Sequence, residues 1–544
     1  MKSLFLLLLT SALTLAADLT VTDLRAEHEL DPQGIVAKPR LSWNLESSSR
    51  GKRQAGFHLL AASSLEKLKA GEGDLWDLNS AKSSQRYLLA WQGKALKSGQ
   101  EVFWKVQVVD EKKGLSPWSA SAKFTVGTER KLGKAVRTSG FESSNPVLNE
   151  IYQRNVATLG KRLEGYLAGD EKSLGDGHAV WRSAREFLYH YDSTPALLDW
   201  IGKVHGAQNE LGYFPGGPGQ PFGPVISDAG IAVPHAVWWM SGDDAMVKNS
   251  WERMENYMIR RELADPTIKG HSWGAPLEHT GKTPAEFVDL CYFGLTSRLM
   301  SELARPAEKP NNSIRYKDYS ARVRKSFARQ YLGEDNLLNV PTQDAQVLGI
   351  RSAVMTAEDR QSVIDHFVKT AKPLGDLSAL AAKPLLPVLT LTGNQSLLFD
   401  LITDPKGPWA DPKNKAFEAS GTTEWLFGNV LGIDNSIPGF RQIRLTPGIL
   451  PSKRLAWAKG HYDSPAGRIS VHWEKLKEGG LSYKCTIPTG SIAIIALPIS
   501  AEQNITESGT TVKDAFGTEV MRDDEKAGTI QVIAQSGSYH FTIQ

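Results

Sequence analysis

Apolar and polar residues alternate in short runs over the first quarter of the chain after residue 17. The alternation is clearest at Leu41–Leu45, Phe57–Ala61 and Val102–Val108, and turn residues separate these runs. Short alternating runs at this spacing are typical of the strands of a small β-sandwich. We therefore predict a β-sandwich over residues 18–128, followed by a polar linker at 129–143.

The periodicity becomes helical after Asn145, which can cap a helix whose first position is Pro146. A second start is predicted at Thr283–Glu286, where the residue spacing is that of a capping box. Further helical stretches are predicted at Val180–Tyr191, Pro195–His205, Ala229–Met240, Asp244–Leu263, Tyr316–Tyr331, Ala357–Lys369, Leu385–Leu391 and Gly421–Leu431. Paired helices without a short strict repeat predict a toroid of helical hairpins over residues 144–436.

Alternation returns after Pro438. Strands are predicted at Gln442–Leu445, Ala456–Tyr462, Arg468–Trp473, Ser482–Ile487, Ile492–Leu497 and Ile530–Val532. The fold prediction is thus multidomain, with an N-terminal β-sandwich, a central α-toroid and a C-terminal β-sandwich over residues 437–544.

Residues 1–17 form a short apolar segment behind Lys2, with small residues at Thr14 and Ala16. This pattern predicts a signal peptide and export to the periplasm or the exterior, with no membrane span after its removal; an uncleaved anchor is the alternative. Cys291 and Cys485 fall on apolar faces of a predicted helix and strand, which favours two buried free thiols over a disulfide.

Composition and charge narrow the function classes. The 544 residues are 41% hydrophobic and 23% charged, and the net charge is only +3, so there is no basic footprint for nucleic acid. The glycines at Gly216–Gly219 do not open a helix that could receive a phosphate, and His271 and His279 lack the spacing of zinc ligands. We expect neither a metal nor an organic cofactor.

Clustered carboxylates indicate the candidate chemistry. An exported helical toroid flanked by β-domains is a common layout of glycosidases, and hydrolysis of a glycosidic bond requires one protonated carboxyl group and one carboxylate. Asp170 and Glu171 lie in a glycine-flanked loop ahead of His178 and Trp181, where adjacent carboxyl groups can raise one another's pKa. The alternative is a solvated acidic entry to a helix, stabilised by the helix dipole.

Three further clusters carry acidic residues. Asp228 precedes His235, and it could either orient a sugar hydroxyl or cap the following helix. Trp273 and Glu278 share a loop in which the indole could stack on a sugar ring. Glu418 and Glu424 lie at the end of the toroid, and Glu424 could equally complete a capping box.

Several short segments resemble bacterial α-L-rhamnosidases. The resemblance to the fibronectin type III-like first module of that family lies in Val21–Arg25, Pro39–Trp43, Gly73–Asp77 and Trp104–Val106. The resemblance to its (α/α)6 six-hairpin glycosidase barrel lies in Ser144–Pro146, Ser227–Ala229, Val233–Pro234, Thr342–Gln343, Pro384–Leu389, Glu424–Leu426 and Gly432–Asp434. Its C-terminal β-domain resembles Pro438–Phe440 and Leu445–Pro447.

The resemblance implies an inverting glycoside hydrolase that releases terminal α-L-rhamnose from a glycoside or polysaccharide. It places the general acid at Glu171. The replacement base is expected at Glu418, Glu424 or Glu278, because the segment that holds the family's base is deleted here. Substrate contacts are expected from Asp170, His178, Trp181, Asp228 and Trp273. A non-catalytic descendant that binds carbohydrate is the alternative.

Overall fold

The computed structural model describes residues 18–127, 129–217, 222, 224–270, 282–371, 377–410, 421–449, 454–500, 502–524 and 528–544. The chain divides into two compact units. The first comprises Met1–Lys131 with Pro488–Ser491 and Gln535–Gly537, and the second comprises Leu132–Ile487, Ile492–Ala534 and Ser538–Gln544. The predicted signal peptide at residues 1–17 lies outside the described residues.

The first unit is built from two antiparallel sheets. Its elements are β1 (Thr20–Ala26), β2 (Arg40–Glu46), β3 (Gln54–Ala62), α1 (Leu65–Lys69), β4 (Trp76–Ser80), β5 (Leu89–Ala90), β6 (Glu101–Asp110) and β7 (Ala122–Thr125). One sheet has the order β1-β2-β5 and the other β4-β3-β6-β7. The apolar positions of the alternation, such as Trp43, Leu59 and Trp104, form the core, so the predicted β-sandwich is confirmed.

The second unit contains the predicted helical domain. Its helices are α2 (Pro146–Leu167), α3 (Gly177–His190), α4 (Thr194–Gly206), α5 (Pro224–Ser227), α6 (Ala229–Ser241), α7 (Asp244–Ala264), α8 (Ala285–Leu303), α9 (Pro310–Tyr331), α10 (Gln343–Arg351), α11 (Ala357–Thr370), α12 (Ala379–Leu391), α13 (Gln395–Ile402) and α14 (Thr422–Trp425), which continues as a π-helical turn at Leu426–Leu431.

Within the described residues six of these helices pack in a closed inner ring, in the order α3-α6-α8-α10-α12-α14 and back to α3. The helices α2, α4, α7, α9, α11 and α13 pack against the ring. The toroid of helical hairpins is therefore confirmed as an (α/α)6 barrel. The inner helix α6 is apolar almost throughout, as burial on all sides requires.

Local capping confirms one of the predicted helix starts and corrects two others. The Asn145 side chain accepts hydrogen bonds from the amides of Val147 and Leu148, as predicted. The capping box at Thr283 is wrong: Pro284 takes the N-cap position, and the Thr283 hydroxyl instead makes a 2.6 Å hydrogen bond to that of Thr342. Asp228 occupies the N-cap position of α6, but its carboxylate caps no amide.

The C-terminal strands form one hydrogen-bonded ten-stranded sheet. Its strands are β8 (Ser139–Ser143), β9 (Ile433–Asn435), β10 (Gln442–Leu445), β11 (Trp457–Ser464), β12 (Gly467–Lys475), β13 (Leu481–Pro498), β14 (Ile505–Glu507), β15 (Thr510–Thr511), β16 (Thr518–Asp524) and β17 (Thr529–Ile543). Its main path is β15-β14-β17-β13-β12-β11-β8. The end of the predicted linker is therefore a strand of this sheet, since β8 pairs with β11.

Sheet and barrel share one hydrophobic core in the second unit. The Trp473 indole donates a 2.9 Å hydrogen bond to the carbonyl of Val430, and the Tyr189 hydroxyl donates one of 3.0 Å to that of Ile433. The first bond joins β12 to the π-helical turn after α14, and the second joins α3 to β9. Cys291 and Cys485 are buried and free, as predicted. No helix among the described residues combines the length and apolar character that crossing a membrane requires.

Candidate active site

A cavity of about 730 Å³ lies inside the helical ring, and all six inner helices contribute to its wall. Five large aromatic side chains line it: Trp181, Trp238, Trp239, Tyr292 and Trp425. A concave site with an aromatic wall and a few polar groups is the usual form of a small-ligand site. Three carboxylates, Glu302, Glu424 and Asp434, complete the described wall.

Glu424 lies between two cations. Gly421, which adopts a left-handed backbone (φ 79°), starts α14 and so directs Glu424 toward the cavity wall. The Glu424 carboxylate is 3.2 Å from an Arg185 nitrogen and 2.8 Å from Lys383 Nζ. Burial opposes ionisation, but Lys383 and Arg185 outweigh it and hold the pKa of Glu424 below its ordinary value of 4.5. Glu424 is therefore a carboxylate at neutral pH.

Arg185 links this carboxylate to a second one. Its other terminal nitrogen is 2.9 Å from Asp434 in β9, and Asp434 is also 2.7 Å from Arg444 in β10. One guanidinium thus bridges α14 to the first strand after the barrel. The planar fork of an arginine is suited to holding two carboxylates in fixed positions.

A histidine and a carboxylate pair on the α6 and α8 part of the wall. His235 Nε2 is 2.8 Å from Glu302, and Arg298, one turn earlier on α8, is also 2.8 Å from Glu302. Burial lowers the pKa of His235 below 6.5 despite Glu302. The hydrogen bond from His235 and the charge of Arg298 outweigh burial and lower the pKa of Glu302. The pair of neutral His235 and ionised Glu302 therefore takes up an additional proton only in acidic solution.

Glu186 supports the start of α14 from behind the cavity. It is completely buried, and one carboxyl oxygen accepts hydrogen bonds from the Thr423 hydroxyl (2.6 Å) and amide (3.1 Å). Burial raises the pKa of Glu186, because no cation is close enough to compensate fully for lost hydration. Glu186 thus fixes Thr423, the residue next to Glu424.

Three of the residues expected from the sequence line this cavity. They are His178, Trp181 and Glu424. The His178 and Trp181 rings are 5.9 Å apart, and the Trp181 and Tyr292 rings meet edge to face at 5.1 Å. Trp273, Glu278 and Glu418 lie outside the described residues. Glu424 does not complete a capping box, because its carboxylate contacts Arg185 and Lys383.

Asp170 and Glu171 do not line the described cavity wall. The Glu171 side chain is 45% exposed and lies 2.7 Å from Lys203 Nζ on α4. Asp170 is exposed and accepts a hydrogen bond from the Lys172 amide. The Glu171 carboxylate thus pairs with a lysine of α4. The role of Glu171 as the acid remains a prediction.

Asp228 lies in the protein interior and away from the described cavity wall. Its carboxylate accepts a 2.8 Å hydrogen bond from the Tyr257 hydroxyl and pairs with Arg261, whose other nitrogen is 2.6 Å from Asp289. All three charged side chains are at most 3% exposed. Burial raises the pKa of Asp228 to about 6. This arrangement joins α6, α7 and α8 and contains no exposed group for a sugar.

The sequence reasoning missed Arg185, Lys383, Glu302 and Asp434 as site residues. One signal was available on α3, where the polar residues Arg182 and Arg185 share a helical face with His178 and Trp181 at spacings of three and four. The pair Arg298 and Glu302 gives no such signal, since an i,i+4 pair is equally typical of a solvated helix face.

Glu171 offers a direct test of this geometry. Glu171→Gln removes only an exposed ion pair with Lys203, which is worth at most about 1 kcal/mol, so we expect kcat for a nitrophenyl α-L-rhamnoside to change less than about fivefold. Steady-state kinetics of the two proteins measure this. A loss of 100-fold or more would assign the acid to Glu171 in spite of its position.

The closed ring of six helices around an aromatic cavity that contains carboxylates defines a six-hairpin glycosidase fold. Residues 136–410 match the bacterial alpha-L-rhamnosidase 6 hairpin glycosidase domain, residues 432–512 match the bacterial alpha-L-rhamnosidase C-terminal domain, and residues 21–129 match the N-terminal immunoglobulin domain of Rha78A-like proteins. The chain belongs to the bacterial α-L-rhamnosidase family.

Curated relatives match this chain at modest sequence identity. The chain is 23% identical over 522 residues to an α-L-rhamnosidase of Streptomyces avermitilis, covering 86% of this chain and 48% of the relative. It is 34% identical over 411 residues to one of Alteromonas sp. (strain LOR), covering 64% of this chain and 44% of the relative. The chain thus spans about half the length of these curated relatives.

Solved structures agree over almost the whole chain. The S. avermitilis α-L-rhamnosidase complexed with L-rhamnose superposes with a TM-score of 0.81 at 13% identity, covering 97% of this chain and 100% of that one. The α-L-rhamnosidase of Dictyoglumus thermophilum gives 0.83 at 12% identity, covering 96% and 99%. At such identities the likeness establishes the fold.

Proposed function

We propose that this protein is an exported glycoside hydrolase that releases terminal α-L-rhamnose with inversion at the anomeric carbon. The observation that carries the proposal is the cavity itself, in which three carboxylates stand among stacking aromatics inside a rhamnosidase-type barrel. Glycoside hydrolysis needs one group that protonates the leaving oxygen and, for inversion, one that activates water on the opposite face of the sugar.

Glu424 is suited to the role of the base. Arg185 and Lys383 keep it ionised, so it can accept the proton of a water molecule that attacks the anomeric carbon. Its anchor Arg185 is fixed in turn by Asp434, so the carboxylate is held in one place before the substrate arrives.

The pair of His235 and Glu302 is suited to the role of the acid. When the pair holds one proton, that proton can pass to the glycosidic oxygen as the bond breaks, and the alcohol leaves neutral. Glu302 is the more accessible partner, with 37% of its side chain exposed against 16% for His235. Trp181 and Trp239 provide faces on which the sugar ring can lie.

The two assignments predict an acidic pH optimum. Activity should fall at low pH when Glu424 takes up a proton, below its ordinary pKa of 4.5, and at high pH when the pair loses its proton, below the ordinary histidine pKa of 6.5. We therefore expect a bell-shaped kcat/KM profile with its maximum between these limbs. A maximum above pH 7 would contradict the assignment of the acid.

The test of the function is hydrolysis of a nitrophenyl α-L-rhamnoside by the full chain, followed by proton NMR within the first minutes. Inversion should give β-L-rhamnose as the first anomer. Appearance of the α-anomer first would overturn the mechanism, and the absence of any turnover would overturn the activity.

A second candidate function is carbohydrate binding without catalysis. One observation favours it: the pKa values of Glu302 and Glu424 are both lowered, whereas a general acid at neutral pH requires a raised one. Calorimetric binding of a methyl α-L-rhamnoside by a protein that hydrolyses no aryl rhamnoside would support this function instead.

A further inference from the structure

The cavity has an excess of positive charge over its described wall. Six cationic side chains line it, against the three carboxylates: Arg182, Arg185, Arg298, Arg351, Lys383 and Arg444. The segments of the helical domain outside the described residues carry four acidic and three basic side chains, so their net charge of minus one is smaller than this excess of three. A neutral sugar would leave that excess uncompensated.

The three carboxylates are already engaged by cations of the wall. Glu302 pairs with Arg298, Glu424 with Arg185 and Lys383, and Asp434 with Arg185 and Arg444. The negative charge of these three carboxylates is therefore already compensated within the wall. The groups that remain available to a ligand are mainly donors.

Arg351 is the clearest of these donors. It ends α10, and its side chain lines the cavity. Among the described residues it has no ion pair or hydrogen-bond partner. Burial and the positive charges of Arg298, Arg185 and Arg360 lower the pKa of Arg351, whereas the negative charge of Glu424 raises it. The net shift is downward, so the surroundings disfavour the charged guanidinium. An anion placed beside it would remove that penalty.

We propose that the cavity takes a saccharide bearing an anionic group, a carboxylate or a sulfate ester, which the Arg351 guanidinium binds. Such oxyanions match the two parallel N–H bonds of a guanidinium, and the aromatic wall accommodates the attached ring. The proposal rests on the proposed function insofar as the ligand is a glycoside. It deepens that function because it specifies the charge of the substrate.

The experiment compares three rhamnosyl disaccharides by isothermal titration calorimetry at low ionic strength. One has glucose as its second sugar, one has glucuronic acid, and one has glucose with a sulfate ester. We expect at least one of the two anionic ligands to bind about tenfold or more tightly than the neutral one, with a preference that decreases as salt is added. The two anionic ligands distinguish a carboxylate site from a sulfate site.

Arg351→Gln should reduce the preference below about threefold and leave the Kd of the neutral ligand nearly unchanged. Arg329→Gln, which removes the same charge from α9 at a position that does not line the cavity, is the matched control and should keep the preference. Arg351→Lys retains the charge without the fork and should keep an intermediate preference. Thermal melting of each variant establishes that it is folded.

The outcomes separate this inference from the proposed function. Equal Kd values for the neutral and both anionic ligands in the unmutated protein, or a preference that survives Arg351→Gln, would overturn the inference even if rhamnosides are hydrolysed. A preference lost with Arg351 and without any hydrolysis would support the anionic ligand and reject the enzyme.

Discussion

Glu424→Gln is expected to lower kcat for nitrophenyl α-L-rhamnoside hydrolysis by about 10²–10⁴-fold, the usual contribution of a general base. The change preserves the shape of the side chain, but an amide cannot accept the proton of the attacking water. It also removes the negative charge that lies between the cations Arg185 and Lys383. Because the base acts on water, the loss should be similar for substrates with good and poor leaving groups.

Azide gives a sharper readout, since an anionic nucleophile needs no deprotonation. With Glu424→Gln, added azide should restore turnover and yield a rhamnosyl azide of inverted configuration, whereas the unmutated protein should gain little. Glu262→Gln is the matched control, because Glu262 also contacts two cations, Arg315 and Arg322, but lies outside the cavity wall. Equal activity of the two variants would reject Glu424 as the base.

The fold could be predicted from local signals because periodicity and caps act over a few residues. Asn145 and Pro146 define the start of α2, and the strand alternation of Trp104 and its neighbours defines β6. At two predicted helix caps the side chain caps no amide, and these positions show what overrides such local signals. Thr283 and Asp228 have capping residue types, but tertiary partners, Thr342 for one and Arg261 for the other, take their side chains.

The site could be predicted only in part, because its contacts join distant residues. Arg185 and Asp434 are 249 positions apart, and nothing in either neighbourhood shows that they form an ion pair. Glu424, His178 and Trp181 were found because each lies near a motif of the family or near an acidic loop. The role of the acid was given to Glu171 from motif alignment, and an alignment does not show that its carboxylate pairs with Lys203 on α4.

Arg261→Met is expected to destabilise the protein by about 3–5 kcal/mol, the cost of leaving buried charges without their partner. Arg261 pairs with Asp228 and Asp289, and its guanidinium also lies 4.4 Å from the centre of the Phe293 ring. Methionine fills much of the volume but compensates neither carboxylate. Urea unfolding of the second unit, followed by tryptophan fluorescence, measures the loss. Arg322→Met, which breaks an exposed pair with Glu262, should cost less than about 1 kcal/mol.

The pH dependence of that loss separates charge from packing. Without Arg261, the buried carboxyl groups of Asp228 and Asp289 should have raised pKa values, so the folded state would bind protons more tightly than the unfolded state. The stability of Arg261→Met then falls as pH rises, because its folded state binds more protons than its unfolded state. The difference in unfolding free energy between Arg261→Met and the unmutated protein should therefore be smaller at pH 5 than at pH 8. A difference that is equal at both pH values would mean that the contact with Phe293, and not the neutralisation of the two aspartates, is what Arg261 contributes.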